Sequence, residues 1–95
     1  MQTYVIERGI TGIGGSSAAE LQAISQKSCA VLDELGPDVQ WLHSYVTDDK
    51  IYCVYRAESE ELVREHGKRG GFPVDSVAAV QNVIDPRTAD ALVAH

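Results

Sequence analysis

The chain has 95 residues, 44% of them hydrophobic and 23% charged, with a formal net charge of −6. That length holds one domain with a single core, and the acidic balance disfavours nucleic acid and anionic membrane as partners, because both repel a negative surface. No apolar run reaches the ~20 residues of a spanning helix, and residues 1–10 lack the basic-then-apolar pattern of a secretory leader. A cytoplasmic location is therefore expected, with Cys29 and Cys53 as free thiols.

Residues 3–8, TYVIER, are rich in strand formers and end at Gly9. A glycine-dense connector follows, and Ser17-x-x-Glu20 then forms a capping-box pattern. Leu21, Ile24, Ser28, Val31, Leu32 and Leu35 recur at helical spacing until Gly36-Pro37 stops the helix. Residues 39–47 and 50–57 are two strand-like runs joined at Asp48-Asp49, a predicted hairpin. Ser59 is placed to cap a second helix, which closes at Gly70-Gly71-Phe72-Pro73. Residues 77–84 are the predicted fourth strand, and Asp85-Pro86 ends it. The expected fold class is α+β: a ferredoxin-like β-α-β-β-α-β sandwich over residues 1–86, with a four-stranded antiparallel sheet and two helices on one face. Residues 87–95 are a short tail with room for one or two helical turns.

A two-residue hairpin turn fixes a register, and side chains alternate between faces along a strand. Leu42, Ser44, Val46, Ile51, Cys53 and Tyr55 then share one face, smaller and more aliphatic, suited to the helices. Trp41, His43, Tyr45, Tyr52, Val54 and Arg56 share the other. An aromatic surface of that size is rarely left bare, so a homodimer through the open sheet face is expected.

On the second helix, Leu62, His66 and Gly70 are spaced by four, which turns His66 toward the sheet. His66, Cys53, Glu7 and Ser44 are expected to converge there. A carboxylate beside a half-buried imidazole raises its basicity, and an imidazolium acidifies a nearby thiol. Imidazole, thiolate and carboxylate also make a transition-metal donor set. The same residues also read as a hydrogen-bonded core network without chemistry, the commoner role of a lone histidine on an apolar helix face. His43, beside Trp41 and Tyr45, reads either as an interfacial metal or ligand group or as an interface filler. The Gly9–Gly15 loop lacks the Gly-Lys-Ser/Thr ending of a phosphate-binding loop and reads as a flexible connector. Glu60, Glu61, Glu65, Arg64, Lys68 and Arg69 read as a solvated, partly paired helix face.

Several stretches carry a family resemblance: Tyr4–Arg8, Gln40–Lys50, Tyr52–Tyr55, Arg64–His66, Gly71–Pro73 and Val83–Pro86. On these the chain resembles a small bacterial ferredoxin-like family, formerly of unknown function, that includes a nickel-binding dimeric protein. The resemblance implies the same fold, a dimer and nickel as a ligand. His43, His66, Cys53 and Glu7 are the candidate metal ligands, and Trp41, Ser44, Tyr45 and Tyr52 the candidate ligand or interface residues. The leading expectation is a cytoplasmic nickel-binding protein rather than an enzyme. The alternative is a small dimeric α+β-barrel-type enzyme or ligand-binding module, in which His66 acts as general base, oriented by Glu7, in a pocket between helices and sheet.

Overall fold

The computed structural model describes residues 1–91. The elements are β1 (Gln2–Gly9), a 3₁₀ turn (Ile13–Gly15), α1 (Ala18–Leu35), β2 (Val39–Val46), β3 (Lys50–Ala57), α2 (Glu60–Gly70), β4 (Ser76–Ala79) and a short α3 (Thr88–Ala91). The strands form one antiparallel sheet in the order β2-β3-β1-β4, and α1 and α2 pack on one of its faces. This is the ferredoxin-like arrangement expected. Among the described residues no helix is long and apolar enough to cross a membrane.

Local chemistry sets the helix ends. Glu20 N–H donates to Ser17 Oγ at 3.1 Å, and Ser17 N–H donates to Glu20 Oε1 at 2.9 Å, so two of the orphan donors of α1 are satisfied reciprocally. Those bonds hold the Glu20 carboxyl below its ordinary pKa. Ser17→Ala is expected to cost about 1 kcal/mol, lowering the melting temperature by roughly 4–8 °C in a thermal scan. Ser59 caps α2 through Leu62 N–H, and Gly71 ends it at φ 71°, a left-handed conformation that glycine adopts without strain.

The buried inner face is built from alternate residues: Tyr4, Ile6 and Arg8 on β1, and Ile51, Cys53, Tyr55 and Ala57 on β3. Val63 and His66 of α2 and Ser28 and Val31 of α1 close over it. Both cysteines are free, Cys29 exposed and Cys53 buried.

Four expectations are corrected here. The predicted hairpin register holds from His43 to Val46, but a β-bulge at Leu42 breaks it: Trp41 pairs with Tyr55 and His43 with Val54. A bulge adds one residue to one strand and reverses the faces beyond it. Trp41 therefore lies beneath α1 of its own chain instead of on the open face, and Leu42 is left 47% exposed. Second, Glu7 points to the open face and Arg8 inward, because the bulkier pair Tyr4 and Ile6 takes the core side of β1. Third, β4 ends at Ala79. With Tyr4 opposite Ala79 and Val80 N–H bonded to Thr3 O, β1 offers no partner much beyond that point, so Val83 and Ile84 stand exposed. Fourth, the glycine-dense connector is pinned, since Ile10 and Gly14 N–H donate to the Asp49 and Asp48 carbonyls and Gly12 N–H donates to Asp49 Oδ1. Of the expected tail, α3 covers Thr88–Ala91, and residues 92–95 lie outside the described residues.

Candidate functional site

The inner face carries a line of polar groups through an apolar core. Arg8 Nη2 lies 3.5 Å from Tyr55 Oη, Tyr55 Oη 3.4 Å from His66 Nδ1, and His66 Nε2 3.0 Å from Ser28 Oγ. One ordering of protons serves every group. The guanidinium can only donate, so Tyr55 accepts from Arg8 and donates to Nδ1, which leaves Nε2–H to donate to Ser28. The His66 ring also lies 5.1 Å from that of Tyr55 and stacks on Phe72 at 5.7 Å. Burial, and then the charge of Arg8, push the His66 pKa down to about 4. Burial pushes the Tyr55 phenol up. Both rings are therefore neutral at neutral pH.

Beside this line, between α1 and the sheet, lies a half-open cavity of about 250 Å³. Its wall is largely apolar, with Leu21 and Ile24 from α1, Ile13 from the 3₁₀ turn, and Trp41, Val46 and Ile51 from the hairpin. Arg8, Ser25, Ser28, Ser44, Cys53 and Tyr55 supply its polar points. The Trp41 indole N–H donates to Ser44 Oγ at 2.9 Å, which fixes the ring against the wall.

The candidate metal ligands do not share one place. His66 and Cys53 are buried on the inner face, while Glu7 and His43 lie on the open face, two strands apart. Both ring nitrogens of His66 are engaged, and Glu7 is paired with Lys50 at 3.2 Å. No cluster of three or more His, Cys, Asp or Glu residues able to hold a metal occurs among the described residues. His43 is exposed, with its ring edge-on to Tyr45 at 5.1 Å. Tyr45 and Tyr52 pair across the hairpin on that open face, whereas Ser44 points inward to the cavity.

The general-base geometry of the alternative reading is not formed. Glu7 is on the far side of the sheet from His66, and His66 sits behind Ser28 and Tyr55 without lining the cavity. A base with a pKa near 4 is also poorly matched to proton abstraction at neutral pH. Sequence reasoning missed Arg8, the one charged residue of the inner face among the described residues. The available signal was the size of Tyr4 and Ile6 against Thr3 and Val5, which selects the even positions of β1 for the core.

Among solved structures the chain is similar to that described as the crystal structure analysis of SCO4226 from Streptomyces coelicolor A3(2), with a TM-score of 0.72 at 21% identity, covering 86% of this chain and 99% of that one. At that identity the likeness bears on the fold. None of the curated proteins matches the chain. Residues 4–80 match the profile of the family described as nickel responsive protein SCO4226-like. With that match running over most of its length, the chain belongs to the SCO4226-like family of nickel responsive proteins.

Proposed function

We propose that this chain is a cytoplasmic Ni(II)-binding protein that completes its metal site as a homodimer through the open sheet face. The observation that carries the reading is the position of His43, the exposed imidazole on that face, in a family whose members are described as nickel responsive. Among the described residues a single chain brings too few donors together for a nickel shell. A two-fold contact repeats every residue of the face, so two copies would present His43 twice. Tyr45, 61% exposed, with Tyr52, Val54 and Val5 beside it, makes a surface that a second copy would bury. Free thiols at both cysteines suit a reducing compartment.

Isothermal titration of untagged protein with NiCl₂ is expected to show saturable binding, and sedimentation a dimer. His43→Ala should weaken nickel at least about tenfold with its fold retained, as its ring is exposed. His66→Gln should leave nickel affinity within about twofold, because that ring is sealed in the core. Cu(II) should compete, following the usual order of divalent affinities. A wild-type titration without heat, or equal affinity in His43→Ala, would rule the reading out.

A further inference from the structure

Arg8 is 2% exposed and makes none of the ion pairs among the described residues, which join Lys50 to Glu7, Arg64 to Glu60 and Arg69 to Glu65. Buried guanidinium groups ordinarily meet a carboxylate, since removing a charge from water is costly. Here one Nη1–H donates to the Pro73 carbonyl at 2.9 Å, and Nη2 reaches only the Tyr55 hydroxyl at 3.5 Å. The rings of Phe72 and Tyr55 lie 5.5 and 6.0 Å from its central carbon, and Gly67 packs close to Nη1. A guanidinium carries five donors, so this one retains capacity, and Arg8 is among the residues that line the cavity. The neighbouring His66 and Tyr55 are neutral and supply no counter-charge.

The cavity has the complementary shape. A dry cavity of about 150 Å³ takes up benzene, so 250 Å³ has room for about ten non-hydrogen atoms. Its wall of Leu21, Ile24, Trp41, Val46 and Ile51 suits a hydrocarbon body, and its charged point is Arg8.

We propose that this cavity binds a small amphipathic carboxylate, with the anionic end on the Arg8 guanidinium and the apolar body between α1 and the sheet. A carboxylate accepts two parallel bonds from a guanidinium, the strongest pairing that group makes. The site is independent of nickel and lies on the opposite face of the sheet from His43, so either can fail without the other.

Trp41 is the chain's single tryptophan and lines the cavity, so its emission reports on occupancy. Titrating chelator-treated full chain with 3-phenylpropionate should give a saturable change. 3-Phenylpropan-1-ol, similar in shape without the charge, should bind at least about tenfold more weakly, and 3-phenylpropylamine more weakly still. Arg8→Met should abolish the preference, bringing acid and alcohol within about twofold. Ser25→Phe leaves Arg8 intact and projects a ring into the cavity, so it should weaken the acid at least about tenfold. The proposal is overturned by no saturable response to the acid, by equal affinity for acid and alcohol, or by an acid affinity unchanged in Ser25→Phe. If Arg8→Met does not fold, the three ligands on wild type decide the matter alone.

Discussion

His66→Ala is expected to lower the melting temperature by roughly 15–30 °C, a loss of about 3–5 kcal/mol. The ring is 1% exposed and wedged between Tyr55 and Phe72, so its removal leaves a cavity in the core. The same change removes the donor to Ser28 Oγ and the acceptor for the Tyr55 hydroxyl proton, both buried, while Arg8 still reaches Tyr55 Oη, and an unmet buried donor or acceptor carries most of the penalty. His66→Gln, which keeps hydrogen-bonding capacity, should lose less. The comparison also has a pH signature. In the unfolded chain the imidazole takes a proton near 6.5, and in the fold only near 4. Between those values the unfolded chain binds more protons, so acid favours unfolding. Stability from this group is complete above pH 6.5, falls as the pH drops toward 4, and is flat below it. The loss is up to about 3 kcal/mol. Urea midpoints at pH 7, 5.5 and 4 should therefore fall more steeply for wild type than for His66→Gln. Parallel profiles would show that the ring is not held neutral by the fold.

Gly14→Ala is expected to cost about 2–3 kcal/mol, with Gly15→Ala within about 0.5 kcal/mol of wild type. A Cβ on Gly14 would lie 2.7 Å from the Thr47 carbonyl oxygen and 2.8 Å from Asp48 Cα. Both are backbone atoms, so relief requires the 3₁₀ turn and the β2–β3 turn to move apart, which breaks the Gly14 N–H bond to Asp48 O. The neighbouring Gly15 meets nothing within 4 Å, which makes it a matched control. Denaturant midpoints of the two variants, taken side by side, test whether the loop is docked. Equal midpoints would mean that it is the loose connector its composition suggests. The docking matters to the cavity, because Ile10 and Ile13 on this segment line it.

Much of the architecture is legible in the chain alone, because local rules suffice for it. The Ser17-x-x-Glu20 box, the Gly36-Pro37 stop and the Asp48-Asp49 turn mark element boundaries by backbone chemistry that needs no tertiary context. The four-residue spacing of Leu62, His66 and Gly70 turns His66 inward, as helical geometry requires. Cys53 and Ser44 fall on the predicted face because β3 is regular and the hairpin register holds up to His43.

Tertiary structure alone decided the rest. A strand's alternation has a period of two, so one inserted residue exchanges the faces, and nothing in Gln40-Trp41-Leu42-His43 announces the bulge. Packing chose it, since the bulge turns the indole to the cavity wall, where it is half-buried, while keeping His43 on the open face. On β1 both alternations place a charged residue inward, Glu7 or Arg8, and the choice follows from which apolar set fills the core better. Arg8 then reaches the Pro73 carbonyl, a partner 65 residues away that no local pattern could supply.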